Sequence, residues 1–533
     1  MRFYLSLYLV VAAVYLLSAS GRIGLSDSIA MFNVTRSIVN EGSLSSEPCD
    51  PLLPGQLGID RGPVCLPGVD GRYYAGYGLV PSLLAVPVVF CGGRIAALLH
   101  INALVALKVI VSVFTALISP LACVVLAMWI VKLGYSRRTA MLGASIFAFA
   151  SPFWHFSVKG FYSEPYFTLT LLLAAYLISG PRRPSAVGLS GLAFGAACGC
   201  RINGVILFPV FILFLALDIR ARGLNLRQFL REAVIFTTSF SVCVFLIGWT
   251  NYTRFGGPLK TGYPPLSTML TTPLLHGMYG LLFNGRVGLL IFAPWILLVL
   301  ICLPSFVRAH LPESVLCGGI FLFSFLFFAK SGFWDGGWVA GPRYLTSTLP
   351  FLVMAMVPWI EKLQYRGASE QWPRRWVVLR AVMMILLAVA ALIQIAGVLY
   401  PDDRYYNLMG YYGNTRSEPW WAGSIPLASI DFLPRMAVNA RLVRPVESVD
   451  HDQLTIAREG SQAWAAMSAA KSEEEFLQSF PNSENFMLPN IMLSKMKLLG
   501  LPASTVYAYG FSVVVLGLMG LAGLKRYAVP GSG

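Results

Sequence analysis

Phe3 to Ser20 reads FYLSLYLVVAAVYLLSAS, an uncharged run that as a helix would cover about 27 Å, close to the thickness of a hydrocarbon core. Its reading decides the fold. A cleaved leader would leave a chain to be folded in water, whereas a retained helix opens a membrane protein. The segment before it carries a single basic residue, Arg2, no small-x-small cleavage site is convincing, and apolar runs recur far downstream, so the run is read as a retained first helix.

Working outward, runs of similar character lie at Ala103 to Val131, Thr139 to Trp154, Phe161 to Ser179, Ala186 to Cys200, Gly204 to Leu217, Ala233 to Trp249, Val287 to Val307, Ser314 to Ala329, Tyr344 to Ile360, Val377 to Leu399 and Thr505 to Leu524. With the first helix they make about 12 transmembrane helices. Composition agrees: the 533 residues are 56% hydrophobic and only 12% charged, with a mean hydropathy of +0.67, which excludes a water-soluble domain. The expected fold class is an all-α polytopic membrane protein. Ala186 to Cys200 and Gly204 to Leu217 are short, and reading them as one kinked span would invert everything downstream.

Loop charge arbitrates between these topologies. With the N-terminus cytoplasmic and every run crossing, Lys132, Arg137, Arg138, Arg182, Arg183, Arg220, Arg222, Arg227, Arg231, Arg308, Lys362, Arg366, Arg374, Arg375, Lys525 and Arg526 all fall on the cytoplasmic side. The net charge of +15 is then topology and attraction to anionic lipid. No nucleic-acid motif is present, and nucleic acid is excluded as a partner. Residues 21–102 and 400–502 remain outside the membrane. Both contain amphipathic pieces, Ile29 to Val39 and Ser472 to Phe480, suited to the membrane face, and Leu79 to Cys91, broken by Pro81 and Pro87, reads as a juxtamembrane helix. The expected organisation is a core over 1–360 that includes the external loop 21–102, a cytoplasmic loop and helix over 361–399, an extracytoplasmic segment 400–502 and a last helix with its tail over 503–533.

Of the nine cysteines, seven (91, 123, 198, 200, 243, 302 and 317) lie in or beside spans, where a thiol behaves as a small apolar residue. Cys49 and Cys65 share the first external loop and are candidates for a disulfide there. Neither metal-ligand spacing nor a His pair accompanies them. No metal and no cofactor is called for.

Nearly all the unusual polar residues gather in stretches that this topology places on the external side. Gly24-Leu25-Ser26-Asp27-Ser28-Ile29 puts a carboxylate a few residues beyond the first span, where it must be solvated, paired or used, although Ser26-Asp27 also suits a helix N-cap. Asp70-Gly71-Arg72-Tyr73-Tyr74-Ala75-Gly76-Tyr77-Gly78 supplies Asp70, Arg72 and Tyr74, which equally suit a turn and an aromatic belt. Trp154 to Pro165 offers Lys159, as a phosphate partner or a snorkelling cation, and Glu164. Arg201-Ile202-Asn203-Gly204 places an Arg where it needs an anion. Asn251-Tyr252-Thr253-Arg254-Phe255-Gly256-Gly257-Pro258-Leu259-Lys260-Thr261-Gly262-Tyr263 opens the next loop and Leu281 to Leu289, with Arg286, closes it. In Phe333-Trp334-Asp335-Gly336-Gly337-Trp338-Val339-Ala340-Gly341-Pro342-Arg343-Tyr344-Leu345, glycines admit close backbone approach, Trp334 and Trp338 offer stacking surfaces, and Arg343 heads the next span as a bidentate donor to phosphate.

These stretches, over most of residues 1 to 360, resemble the loops of C-superfamily (GT-C) integral-membrane glycosyltransferases, in particular bacterial relatives of protein O-mannosyltransferases and aminoarabinose transferases. The resemblance implies inverting transfer of a sugar from a polyprenyl-phosphate donor to an extracytoplasmic glycan, lipid or protein acceptor, at the outer face of a bacterial inner membrane. It makes Asp27 the general base, assisted by Glu164, and sets Arg343, Arg286, Lys159 and Arg201 as candidates for the lipid phosphate, with Asp70, Arg72, Tyr74, Trp334, Trp338 and Tyr263 as further substrate-binding residues. The chain departs from those branches at Ser28, where a second acid usually stands. Residues 400–502 match no member. A transporter or flippase for lipid-linked sugar is the alternative of another class, but internal repeats are absent and the charges collect in loops instead of at mid-membrane.

Overall fold

The computed structural model describes residues 1–23, 26–46, 65–98, 100, 103–180, 182–336, 339, 341–365, 374–399, 492 and 503–528. Helices dominate. The first, α1 (Arg2–Ser18), is followed in the external loop by α2 (Ser26–Glu41), a two-stranded hairpin and α3 (Val80–Leu98). In the hairpin, β1 (Cys65–Pro67) pairs antiparallel with β2 (Tyr73–Ala75), with Leu66 opposite Tyr74. Asp70-Gly71 turns it, and Gly71 takes the left-handed φ of 80° that this turn requires. Among the described residues this hairpin is the one departure from all-α structure.

Prolines explain where apolar runs break. The run from Ala103 divides at Pro120 into α4 (Ala103–Ile118) and α5 (Pro120–Lys132). Next come α6 (Arg137–Phe149), which stops short of Pro152, the short α7 (Phe153–Val158) and α8 (Ser163–Ile178). The series continues with α9 (Pro184–Cys200), a 3-10 turn over Ile202–Leu207, α10 (Phe208–Ala221) and the long α11 (Leu226–Phe255). Short helices α12 (Leu266–Met269), α13 (Leu274–Phe283) and α14 (Leu289–Phe292) lead to Pro294, which separates the last of them from α15 (Leu297–Ala309). The rest are α16 (Leu311–Lys330), a 3-10 turn over Arg343–Thr348 that leads into α17 (Leu349–Tyr365), then α18 (Arg374–Leu399) and α19 (Ala503–Ala528).

Among the described residues, eight helices are long and apolar enough to cross a membrane by length and composition, and Arg2–Ser18, Ser163–Ile178, Pro184–Cys200, Leu274–Phe283 and Pro294–Ala309 are shorter apolar helices. Length and composition alone therefore leave the expected dozen unconfirmed. Proline breaks and short helices account for the difference.

The two short runs around Arg201 are separate passes. Gly188, Gly191, Gly195 and Gly199 of α9 meet Ile235, Phe236, Cys243 and Ile247 of α11 in ascending order, so α9 and α11 run parallel and α10 returns between them. Arg182, before α9, pairs with Asp218 near the end of α10 at 2.7 Å and with Glu232 near the start of α11 at 2.6 Å, which ties those three helix ends together. The same end of the bundle gathers Lys132, donating to the Tyr176 carbonyl at 2.8 Å, Ser136, donating to Glu361 at 2.8 Å, and Tyr527, whose ring meets Phe3 at 5.1 Å. This basic end is the one that the loop charges place in the cytoplasm.

At the opposite end, α2 and α3 lie across the mouth of the bundle. By length α3 could cross, yet Val80 packs on Gly199, Gly92 packs on Leu107 and Ile110 at the start of α4, and Ser82 donates to the Met31 carbonyl of α2 at 2.9 Å. It is thus a juxtamembrane helix, longer than the expected Leu79 to Cys91. The first and last helices close the bundle antiparallel: Tyr509 donates to the Leu16 carbonyl at 2.7 Å, and Gly517, Gly520 and Gly523 let α19 approach Ala13, Val10 and Ser6. Toward the outside, α11 presents Val234, Val242, Phe245, Leu246 and Trp249, an apolar face suited to lipid.

Cys65 is disulfide-bonded, and the seven cysteines in or beside the spans are free thiols. Cys49, its expected partner, Trp338, and the whole of 400–502 except Met492 and its backbone helical position lie outside the described residues.

Candidate active site

Four separated stretches converge at the end opposite the basic one. Asp27 stands in the first turn of α2 and Glu164 in the first turn of α8, where the helix dipole favours a negative charge; Arg201 caps the C-terminus of α9, where it favours a positive one. Arg343 opens the 3-10 turn before α17, after Pro342. Each local fold thus presents its charge to a common point.

There the charges form a chain. Arg343 Nη2 pairs with Asp27 Oδ2 at 2.7 Å and Arg343 Nε donates to Glu164 Oε1 at 2.6 Å. Arg201 Nη1 pairs with the same Glu164 oxygen. Two acids and two guanidiniums balance, as burial demands. Their exposure is graded: the Glu164 side chain is 0% exposed, Arg343 10%, Arg201 12% and Asp27 20%. Asp27 is the carboxylate that reaches the mouth. Glu164 is shut in behind it.

Tyrosines line this chain. Tyr77 donates its hydroxyl to Asp27 Oδ1 at 2.9 Å, and burial together with the neighbouring Asp27 carboxylate pushes that hydroxyl well above the ordinary tyrosine range, so it stays a donor. The ring of Tyr263 meets Tyr77 edge-on at 6.3 Å. The guanidinium of Arg343 lies over the Tyr162 ring at 5.4 Å and that of Arg201 over Tyr344 at 5.2 Å.

The site is braced by the last turn of α11, where the sequence suggested that a loop opens at Asn251, and by the loop that follows Phe255. Arg254, buried, donates through Nη1 to the Ala75 carbonyl at 3.1 Å and through Nη2 to Asn251 Oδ1 at 2.9 Å, while its own carbonyl accepts from Val69 N–H at 3.0 Å. Gly262 packs on Gly76 so closely that a Cβ there would strike the Gly76 Cα. These contacts hold the hairpin and fix the loop that aims Tyr77 at Asp27.

Asp27, Glu164, Arg201, Arg343 and Tyr263 therefore come together, whereas the other candidates are placed differently. Asp70, Arg72 and Tyr74 form a cluster of their own on the hairpin: Tyr74 donates to Asp70 at 2.8 Å, which holds that carboxyl below the usual range, and Arg72 Nη1 donates to Ser43 at 3.2 Å. Arg286 pairs with Asp335 at 2.6 Å and its carbonyl accepts from Gly341 N–H at 3.0 Å, so it fastens the segment leading to Arg343. Trp334 packs on Gly280 and meets the His276 ring at 5.7 Å. Lys159 is buried at the end of α7. Tyr77, Tyr162, Tyr344 and Arg254 were not among the candidates, though each stands within a stretch that carries one.

Among solved structures, the archaeal oligosaccharyltransferase AglB of Archaeoglobus fulgidus, in complex with an inhibitory peptide and a dolichol-phosphate, aligns with a TM-score of 0.50 at 13% identity, over 77% of this chain and 58% of its own. The fold is the GT-C fold. This chain thus spans 58% of that protein's length. ArnT of Cupriavidus metallidurans aligns over 98% of this chain and 76% of its own at 13% identity in the apo state, with a TM-score of 0.46, and at 14% identity when bound to undecaprenyl phosphate, with a TM-score of 0.43. No protein-family model matches the sequence, and no curated protein does.

Proposed function

We propose that the chain is a glycosyltransferase that moves a sugar from a polyprenyl-phosphate carrier to a glycan, lipid or protein acceptor with inversion, working at the external face of a bacterial inner membrane. The observation that carries the reading is the placing of a partly exposed carboxylate, Asp27, against a fixed guanidinium, Arg343, at 2.7 Å. The reaction needs those two groups side by side. In it the acceptor hydroxyl gives its proton to Asp27, its oxygen bonds to the anomeric carbon, and the bond from that carbon to the phosphate oxygen breaks. The electron pair leaves with the lipid phosphate, whose charge Arg343 offsets. Arg201, Arg286 and Lys159 supply further positive charge at the same end of the bundle, and Tyr263 and Trp334 supply apolar faces for sugar or lipid. The GT-C fold supports the reading, as do the dolichol-phosphate and peptide held by AglB. The core is assigned to 1–360, with 400–502 as an extracytoplasmic segment.

The test is mass spectrometry of envelope glycans and lipid-linked sugars in a deletion strain. A polyprenyl-phosphate sugar should accumulate while one glycan loses that sugar, with both restored by the parent chain and neither by Asp27→Asn. Unchanged profiles, or full restoration by Asp27→Asn, would overturn the assignment. Sugar lipid moved across the membrane with no glycosidic bond formed would point to a transporter instead.

A further inference from the structure

The reading above makes Asp27 a base and Arg343 a phosphate partner, yet these two groups are paired with each other at 2.7 Å. A carboxylate held by a guanidinium is a poor proton acceptor. Something must part them at the right moment, and the other side of Arg343 shows what stays behind. Its Nε is fixed by Glu164 at 2.6 Å, and Glu164, fully buried, is fixed in turn by Arg201. The contact to Asp27 is made by Nη2, at the more exposed end of the chain of charges.

Resting on that reading, we infer that Glu164 and Arg201 are positioning residues, which hold Arg343 still while its Nη2 exchanges the Asp27 carboxylate for the phosphate of a polyprenyl-phosphate donor. Glu164 is then no second base. Its enclosure keeps it from an acceptor hydroxyl, and its charge is committed to two guanidiniums. Because Nε remains held, Arg343 need not swing away when the phosphate arrives. Tyr77 keeps Asp27 Oδ1 in place at 2.9 Å, so the oxygen that the exchange releases from Arg343 is Oδ2. Donor binding and uncovering of the base become one event, and Asp27 is masked whenever the phosphate site is empty. The groups facing Asp27 in this exchange include Arg343 and Tyr77, with Tyr263, Arg201 and Glu164 behind them.

The exchange is read by the rate at which an apolar carbodiimide labels Asp27 in the purified full chain, followed by peptide mass spectrometry near neutral pH. Undecaprenyl phosphate is the probe, and its saturable binding is measured in the same sample. Losing a cation and gaining an anion favours the protonated, reactive carboxyl, so labelling should quicken by about tenfold or more on lipid binding. Arg343→Ala should label fast without lipid. Glu164→Gln, checked for folding by gel filtration, should still bind lipid while its Asp27 labelling no longer responds. Lipid binding that leaves parental labelling unchanged or slower, or slow labelling of Arg343→Ala, would overturn the exchange and leave the glycosyltransferase reading standing. No saturable binding of the lipid by the parent chain would instead overturn that reading, and the exchange with it.

Discussion

Replacing Asp27 by Asn removes one negative charge and one proton acceptor while keeping the shape of the side chain. In the first turn of α2 Asn is well tolerated, and Arg343 keeps Glu164 as its buried partner, so the variant should fold and elute as the parent does. Transfer should fall by about 10²- to 10⁴-fold, the usual contribution of a positioned base. Activity within a few fold of the parent would reduce Asp27 to a helix-end charge. Arg343→Lys tests the neighbouring group. One ammonium cannot reach Asp27 and Glu164 through two separate nitrogens, as the guanidinium does at 2.7 and 2.6 Å. Undecaprenyl phosphate should bind about tenfold more weakly, a charge-assisted hydrogen bond lost, and Arg343→Ala should bind more weakly still. Parental binding by the Lys variant would move the phosphate toward Arg286 or Arg201. At this scale the sequence exposed the four charged residues, since each is costly beside a membrane unless paired or used, but not their pairing. That Glu164 is shut in behind Asp27 could not be read from the sequence, because burial is a property of the packed bundle. Tyr77 escaped notice because three tyrosines crowd residues 73 to 77, and only the hairpin's register decides which one points at Asp27.

Among the elements, prolines and glycines explain most of what could be foreseen. Pro120 and Pro294 break long runs where the composition is apolar throughout, and Asp70-Gly71 makes the expected turn. The hairpin around that turn was not foreseen, because strands of three residues carry no periodic signal and are held from outside by the last turn of α11 and the loop after it. The brace can be tested through Arg254. Arg254→Ala leaves the Ala75 carbonyl without its buried donor, at a cost of about 1 to 3 kcal/mol, and frees the segment that carries Tyr77. Gly262→Ala forces the two loops apart at Gly76, with a similar cost from overpacking of about 1 to 3 kcal/mol. Both variants should lower the thermal midpoint in detergent and lose transfer activity, although neither residue touches the four charges. If either keeps the parental midpoint and activity, the loop is a passive turn and Tyr77 is aimed by something else.

For the molecule as a whole, charge and hydropathy carried most of the information, and one ambiguity governed the rest. Had Ala186 to Cys200 and Gly204 to Leu217 been one kinked helix, every loop beyond 204 would have changed sides. Window hydropathy cannot choose, because both runs are short and a polar Arg201 between them suits a kink as well as a turn. The bundle chooses through contacts made elsewhere: α9 and α11 run parallel, and Arg182 joins Asp218 and Glu232 at the end opposite Arg201. Arg201 therefore shares an end with Asp27, and the basic loops share the other. Single cysteines at exposed positions report this directly. Glu41→Cys and Lys260→Cys, on the loops beside the site, should react with a membrane-impermeant thiol reagent added to intact cells, whereas Arg227→Cys should react only after permeabilisation. The exposed native Cys91 is first replaced by Ser to remove its signal. Labelling of Arg227→Cys from outside with Lys260→Cys protected, while Glu41→Cys still labels, would mean that the chain crosses only once between 184 and 221, without turning back at Arg201. Arg201 would then lie away from Asp27, and the four-charge site could not form.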